Sequence, residues 1–206
     1  PGDNTYRDED KIYAKIMGLV NVSGRVVRIT PLAGPYVPKI GDKIIGCVTD
    51  ITMSGWRVDT ATAYSAFLNV KDATTRFVKK EEDLSQILSI DEYVVVNIVN
   101  VTSQNLIDLT MKEPGLHKIS GGRVIRVNAQ KVPRVIGKQG SMISMIKEGT
   151  GCSVLIGQNG KVWVKGLSLE KENLVTNIIM KIEQESHIDG LTDKIKKLLE
   201  IKNGSL

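Results

Sequence analysis

The feature that most constrains the fold of this chain is the tetrapeptide Gly-Lys-Gln-Gly at positions 137–140. It follows the apolar pair Val135 and Ile136 and leads into positions 141–146, where apolar residues recur at helical spacing. A glycine-bracketed loop at a helix start turns backbone N–H groups outward, and such groups attract phosphate. Because the glycines carry no Cβ, a nucleic-acid backbone can approach closely, and Lys138 adds a positive charge. The loop therefore predicts binding of a phosphate backbone.

The residues around the loop predict a complete small domain. Positions 122–128 are typical of an opening strand. After the loop, a glycine-stopped helix leads into a β-branched strand at 153–156, an Asn-Gly turn and a second strand at 161–166. A last helix carries apolar residues on one face, namely Leu174, Val175, Ile178, Ile179 and Ile182. The predicted order is strand, helix, loop, helix, strand, strand, helix.

This order, with the Gly-x-x-Gly loop between its first two helices, resembles a type I KH domain over about residues 115–186. The resemblance implies a binder of single-stranded nucleic acid whose loop clamps about four nucleotides by their backbone. It assigns RNA contacts to Ile136, Gly137, Lys138, Gln139 and Gly140. An isolated Gly-x-x-Gly is more often an ordinary helix-start turn with a solvated lysine, but the surrounding pattern disfavours that interpretation.

Basic charge is concentrated in the same third of the chain. The full sequence has a formal net charge of +5, and residues 114–206 hold 15 basic and 8 acidic residues. Between positions 115 and 140 every charged residue is basic: Lys118, Arg123, Arg126, Lys131, Arg134 and Lys138. Solvated basic faces are common, but a cluster that leads into a phosphate loop favours nucleic acid as the partner. We expect Arg134, Arg123 and Arg126 to supply positive charge around the loop.

Composition bounds the class of protein. A hydrophobic fraction of 41% and a charged fraction of 25% are typical of globular domains, and 206 residues allow two or three small ones. No apolar run reaches the ~18 residues of a membrane span. The chain opens with neither a signal segment nor Met, which predicts a longer gene product. Cys47 and Cys152 lie in separate strand-like segments and are expected to be free thiols, which favours a cytoplasmic protein.

From Lys39 to Lys112 the pattern is all-β, with short strands at the spacing of a small barrel. The predicted strands cover positions 40–51, 55–59, 66–70, 93–101 and 105–112, with one or two helical turns at 81–88. The order Gly-Asp-x-Ile-x-Gly-x-Val, then Gly-x-x-Val-Asp, then Leu-Thr-Met-Lys resembles the S1 RNA-binding domain. That resemblance implies a five-stranded OB-fold barrel.

The positions that the S1 family uses to contact RNA differ in this chain. Where the family usually has two aromatics around the second strand and a His in the third, this chain has Ser54, Arg57 and Asn69. An Arg plane can still stack on a base and pair with phosphate. Alternation along the second strand favours a buried Trp56 and an outward Arg57. We expect Arg57, Asn69 and Lys71 to form the RNA-facing side of the barrel.

The segment before the barrel is a short β region. Positions 12–20 and 24–29 alternate as strands, and the proline-punctuated stretch 31–38 is a stiff connector. Strands this short cannot bury an apolar face unaided. We therefore expect them to pack against the barrel or against another subunit.

Taken together, this multidomain β and α/β chain resembles the S1/KH cap subunit of the RNA exosome, the ribosomal-RNA-processing protein four family, in its archaeal form. The resemblance implies an N-terminal β domain at 1–37 that docks on a hexameric ring of phosphorolytic subunits. It also implies an S1 barrel at 38–112 and a KH domain with an extra C-terminal helix at 115–206. In that family three caps guide RNA 3′ ends into the ring for 3′→5′ degradation and tailing. The implied partners are single-stranded RNA and the ring.

The sequence contains no catalytic constellation, so we expect no catalysis, metal or cofactor in this chain. His117 and His187 are isolated, and the acidic runs at 8–10 and 81–83 have no partners at metal-ligand spacing. A free-standing regulatory RNA binder and an enzyme that acts alone on RNA are the alternative hypotheses. A closing helix carries Leu191, Ile195, Leu198 and Leu199 on one face, and the sequence does not decide whether the KH domain or a neighbour covers them.

Overall fold

The chain folds into three parts in sequence order. The computed structural model describes residues 1–76, 78–79, 82–186 and 190–203, without the side chains of 197, 198 and 200–203. Two small hairpins are followed by a closed five-stranded barrel and by a three-stranded sheet that packs against helices. This arrangement confirms the predicted fold class. His187 and part of the acidic run at 81–83 lie outside the described residues. None of the helices described is long and apolar enough to span a bilayer.

The N-terminal part consists of two antiparallel hairpins. β1 (Thr5–Asp8) pairs with β2 (Lys11–Ala14), and β3 (Gly18–Ser23) pairs with β4 (Val26–Pro31). The residues that precede β1 join the two hairpins, because the Gly2 N–H donates to Val27 O at 2.8 Å. Most side chains of these strands are exposed, so this part has almost no core of its own.

The single strand predicted over positions 12–20 is wrong. The backbone bends at residues 15–17, so the run is divided between β2 and β3, which belong to different hairpins. The Lys15 N–H still donates to Asn4 O at 2.9 Å, one position beyond the last β1–β2 pair, and the chain leaves the hairpin after that bond. Gly18 then lies against β4 so closely that a Cβ would be 2.3 Å from Thr30 O. Alternation of apolar residues alone could not reveal this bend.

The second part is a closed barrel of the OB type. Its strands are β5 (Lys43–Thr52), β6 (Gly55–Asp59), β7 (Ser65–Asn69), β8 (Tyr93–Val101) and β9 (Leu106–Thr110), with the short helix α1 (Val70–Ala73) after β7. They close in the order β5-β6-β7-β9-β8, and only the β7–β9 pair among them is parallel. Trp56 is fully buried and donates its indole N–H to Leu88 O at 2.9 Å, as alternation predicted.

The third part has the predicted KH order. β10 (Arg123–Arg126), β11 (Ser153–Ile156) and β12 (Lys161–Lys165) form an antiparallel sheet with β12 in the centre. The helices are α2 (Val132–Ile136), α3 (Ser141–Thr150), α4 (Leu169–Gln184) and α5 (Leu191–Asn203). Val154, Val162 and Val164 share one buried core with residues of all four helices and with the free thiol of Cys152, which lies just before β11.

The closing helix α5 packs on the KH domain, which the sequence left undecided. Leu191, Ile195 and Leu199 are buried in the same core as the sheet, while the side chain of Leu198 lies outside the described residues. Gly149 of α3 allows this contact, because a Cβ there would lie 3.1 Å from Leu199 Cδ1. The helix therefore completes the KH core.

The barrel and the KH domain share a buried interface. The joining segment runs along β8, where the Val95 N–H donates to His117 O at 2.9 Å and the Ile119 N–H to Tyr93 O at 2.8 Å. An apolar cluster spans the two domains through Ile45, Val95, Leu116, Ile119 and Trp163. Their relative position is thus set by main-chain pairing and by apolar burial.

A buried asparagine adds specific hydrogen bonds to this interface. Asn159, in the turn between β11 and β12, is 3% exposed. Its side-chain amide donates to Ile45 O at 2.8 Å and to Thr60 O at 2.9 Å, and its carbonyl accepts from the Ile45 N–H at 3.3 Å. Lys161 nearby donates to Asp59 Oδ2 at 3.1 Å. The turn that the sequence predicted as a simple hairpin is therefore also the anchor of the KH domain on the barrel.

Candidate nucleic-acid interface

The Gly-Lys-Gln-Gly loop has two glycines that are required for different reasons. Gly137 ends α2 at φ +78°, and a Cβ there would lie 2.7 Å from the backbone nitrogen of Met142. Gly140 has open space around it but sits in the left-handed region at φ +80° and ψ +9°, which L side chains rarely adopt. Steric room matters at the first position and backbone conformation at the second.

The tip of the loop faces solvent. Lys138 and Gln139 are exposed, and Gln139 itself adopts a left-handed conformation at φ +53°. Gly140 is the N-cap of α3, and no side chain among the described residues caps this helix start. The Ser141 N–H already donates to Lys138 O, so the N–H groups left for an anion belong to the residues that follow it in the first turn of α3. The helix dipole favours negative charge there. The loop can therefore receive a phosphate without displacing a protein side chain.

The basic residues predicted around the loop lie in different places. Arg134 is exposed on α2, directly before the loop. Arg123 instead contacts the beginning of α4, with its Nη1 donating to Asn173 Oδ1 at 2.8 Å and its Nε 3.5 Å from Glu172 Oε2. Arg126 is exposed at the other end of β10 and borders a cavity of about 210 Å³ at the junction with the barrel. Sequence proximity to the loop therefore does not place every one of these charges at it.

The predicted barrel residues share one outer face. Arg57 on β6 is exposed, and its Nη1 lies 3.9 Å from Asp50 Oδ2. Asn69 ends β7 and also caps α1, because its side chain accepts the Lys71 N–H at 3.0 Å. Lys71 is exposed at the start of α1. Asn69 thus has a structural role that positions Lys71 beside the strand.

Phe67 belongs to this face, and residue-by-residue matching to the S1 pattern missed it. Its strand neighbours Ala66 and Leu68 are buried in the barrel core, so Phe67 points to the outer surface, where it is half-buried. It lies opposite Arg57 on β6 and opposite Asp108 on β9. The period-2 alternation of β7 was the signal that could have identified it.

An ion pair between Asp59 and Lys161 links the barrel to the KH domain. Burial raises the pKa of the Asp59 carboxyl, but hydrogen bonds from the Ala61 N–H and from Lys161, together with the charges of Lys161 and Arg126, hold the pKa below its usual value of 3.8. Lys161 is itself 8% exposed and lies 5.7 Å from the centre of the Tyr93 ring. This pair therefore fastens the two domains at neutral pH.

Comparison with known proteins agrees with this geometry. A KH domain family matches residues 122–169. The exosome complex component Rrp4 of Thermococcus kodakarensis is 41% identical over 201 residues, which is 96% of this chain and 78% of the relative. That of Methanothermus fervidus is 38% identical over 198 residues, with 96% of this chain and 87% of the relative covered.

A solved structure shows the same fold. The chain superposes on a crystal structure assigned to an exosome complex RNA-binding protein with a TM-score of 0.75 and 29% sequence identity. The match covers 82% of this chain and 98% of that protein, so it is not confined to the KH domain. With the sequence relatives, it confirms the resemblance inferred from the combined S1 and KH patterns. The chain belongs to the Rrp4 family of exosome complex components.

Proposed function

We propose that this chain is a non-catalytic RNA-binding cap subunit of an exosome, which captures single-stranded RNA and guides 3′ ends into a phosphorolytic ring for 3′→5′ degradation and tailing. The observation that carries the proposal is the exposed, uncapped loop Gly137–Gly140 in a chain of this family. The names of the relatives disfavour a free-standing regulatory RNA binder.

The loop would hold RNA by its backbone. Phosphate oxygens accept hydrogen bonds from the main-chain N–H groups at the start of α3, while Lys138 and Arg134 add positive charge and Gln139 adds a polar side chain. Ile136, half-buried before the loop, offers an apolar contact for a base. Because phosphate contacts position RNA without reading its bases, binding is expected to tolerate many sequences.

The barrel would line the onward route of the strand. Arg57 offers a flat cation that can stack on a base, and Phe67 beside it offers an aromatic ring. Lys71 adds charge at the end of the same face, next to Asn69. We assign this role to residues 38–112 and the phosphate clamp to the KH domain within residues 115–206, with Arg123 and Arg126 contributing a more distant positive field.

Residues 1–37 would dock the chain on the ring. The two hairpins expose apolar side chains, including Tyr6, Ile12, Tyr13, Met17, Leu19, Val20 and Val22. The rings of Tyr6 and Tyr13 stack with their centres 5.5 Å apart. A concentration of exposed apolar side chains is typical of a protein interface. We propose that three copies dock on each ring, in the cytoplasm.

Reconstitution with the hexameric ring tests the docking. Wild-type chain mixed with the ring should co-elute from a size-exclusion column, whereas the Met17→Asp variant should elute separately. Met53→Asp on the barrel is the matched control, because Met53 is also fully exposed but lies outside the hairpins. If wild-type chain elutes alone, the docking proposal fails and the free-standing RNA binder is favoured.

Phosphorolysis of a labelled RNA tests the capture function. The ring with wild-type chain should degrade a long RNA at lower RNA concentration than the ring alone, and the purified chain should leave the RNA intact with or without phosphate or Mg²⁺. The double variant Lys138→Asp, Gly140→Asp should dock but lose this advantage. A matched control is Lys196→Asp, Gly190→Asp, since Lys196 is exposed on α5 and Gly190 has a similar φ of +72° with open space around it. RNA cleavage by the chain alone would contradict a non-catalytic role.

A further inference from the structure

We propose that an open cavity of about 390 Å³ at the seam between the KH domain and the barrel is a second RNA site that takes one nucleobase. The inference rests on the proposed RNA-binding function and goes beyond the loop and the barrel face. The cavity is lined by His117 of the joining segment, Lys147 of α3, the first residues of β11 and Trp163 of β12. It would engage RNA that extends past the phosphate loop.

The cavity is separate from the Gly-x-x-Gly loop. Leu155 lies opposite Trp163 across the β11–β12 pair, and both pack with Leu116 and Ile119 on the side of the sheet that faces the barrel. The neighbouring Val154 points instead into the core with the helices. Lys147 is in the last turn of α3, whereas the loop precedes its first turn, about 10 Å away along the helix axis.

The Trp163 ring and the main chain of His117 are held in place before any ligand arrives. Trp163 is 8% exposed, and its indole N–H donates to Gly121 O at 2.7 Å, which fixes the ring orientation. The backbone of His117 is paired with β8 through the Val95 N–H, and Lys118 forms a β-bridge with Val94. A site with fixed walls loses little conformational entropy on binding.

The chemistry of the walls fits a base and its phosphate. The exposed imidazole of His117 can stack on a base, and the small part of the Trp163 indole that reaches the cavity can contact it. Lys147 is an exposed cation that can balance a phosphate. β11 is an edge strand, since within the described residues it pairs with β12 alone, so its outer main-chain groups can bond to base edges. With four residues, β11 is short for pairing with an added protein strand, which favours a nucleotide as the occupant.

The site is composite, because its walls come from two domains. His117 is positioned by the barrel, whereas Trp163 and Lys147 belong to the KH domain. The bonds of Asn159 to Ile45 and Thr60 hold these domains together. Separation of the KH domain from the barrel would therefore open the cavity without altering the Gly-x-x-Gly loop.

Oligonucleotide length separates this site from the loop. The double variant His117→Ala, Lys147→Ala should bind a 12-nucleotide RNA about tenfold more weakly than wild type, a loss typical of one stacked base. It should bind a four-nucleotide RNA, which spans only the loop clamp, as wild type does. Lys196→Ala, which removes one exposed charge from α5, is the control for a general charge effect. Fluorescence anisotropy provides both affinities.

Photo-crosslinking of the wild-type chain tests the site without a substitution. A 12-nucleotide RNA with 4-thiouridine at each position in turn should crosslink to peptides that contain His117 or Trp163 from at least one position outside the loop clamp. Absence of such crosslinks, or a 12-nucleotide affinity of the double variant equal to that of Lys196→Ala, would overturn the proposal. If Lys138→Asp, Gly140→Asp alone leaves RNA binding intact, the proposed loop function fails instead.

Discussion

The KH loop and the barrel face offer RNA different kinds of groups. At the loop the proposed binding groups are mainly main-chain N–H donors at the start of α3, with charge from Lys138 and Arg134. On the barrel the groups are side chains on neighbouring strands, with Arg57 beside Phe67. Main-chain donors bind phosphate, which every nucleotide has, whereas an Arg-aromatic pair contacts bases.

This difference indicates how each surface responds to sequence change. The loop conformation depends on the backbone at two positions, so we expect a substitution of either Gly137 or Gly140 to disrupt it. The barrel strands are independent of the identity of their outward residues, so the S1 aromatics can be replaced while the OB fold persists. We therefore expect the loop to dominate the affinity of the chain and the barrel to add to it only for longer RNA.

The largest expected effect is at the loop. Lys138→Asp with Gly140→Asp should weaken binding of single-stranded RNA roughly 100-fold, because two charge-assisted hydrogen bonds of about 1.5 kcal/mol each are removed. The slope of log K against log salt should also become shallower by about 0.7 for each phosphate that the variant no longer neutralises. Fluorescence anisotropy at several salt concentrations measures both quantities. An unchanged affinity would reverse the comparison and make the barrel the main RNA-binding surface.

The next effect concerns the connection between the two surfaces. Asn159→Ala leaves the carbonyls of Ile45 and Thr60 and the Ile45 N–H without their partner, which should cost about 2–3 kcal/mol of unfolding free energy. Urea denaturation should show a lower midpoint and separate transitions for the barrel and the KH domain. Asn177→Ala, at an exposed position on α4, should stay within about 0.5 kcal/mol of wild type. One unshifted transition in Asn159→Ala would mean that apolar burial alone couples the domains.

A smaller effect is expected on the barrel face. Phe67→Ala should reduce affinity for a 12-nucleotide RNA about fivefold to tenfold through loss of one stacking surface, and should leave a four-nucleotide RNA unaffected. Because Phe67 points away from the barrel core, the thermal unfolding midpoint should change little. Equal losses for the short and the long RNA would show that the two surfaces do not act separately.

The smallest effect is a dependence of domain coupling on pH. The folded pKa of Asp59 is below that of the unfolded chain, so its stabilisation is present above the unfolded value and is lost as pH falls through the folded value. Urea midpoints measured at pH 6 and at pH 3 should therefore differ less in Asp59→Asn than in wild type. Asp193→Asn in the exposed first turn of α5 is the control. An identical pH dependence in wild type and Asp59→Asn would exclude this contribution.

Local sequence patterns were sufficient to predict most of the fold, because strand alternation and glycine spacing depend on interactions between residues that are close in the sequence. The alternation in β6 predicted a buried Trp56, and the Gly-Lys-Gln-Gly spacing predicted a loop between two helices. Where a choice depended on distant residues, the same reasoning failed or stayed open. The bend between β2 and β3 divides an apolar run whose two halves pair with different strands, β1 and β4. The packing of α5 depends on Gly149 of another helix.

The sequence by itself determined the OB and KH folds and most of the element order, since these follow from spacing, glycine placement and periodicity over short windows. It predicted the phosphate loop from the glycine spacing, and the family was inferred from the resemblance of the combined S1 and KH patterns. Only the tertiary structure decided that Arg123 is engaged by α4, that Phe67 joins Arg57, and that Asn159 fastens the KH domain to the barrel. The physical reason is separation along the chain. Asn159 bonds to Ile45 over 114 positions, and no local pattern encodes a contact between groups so far apart.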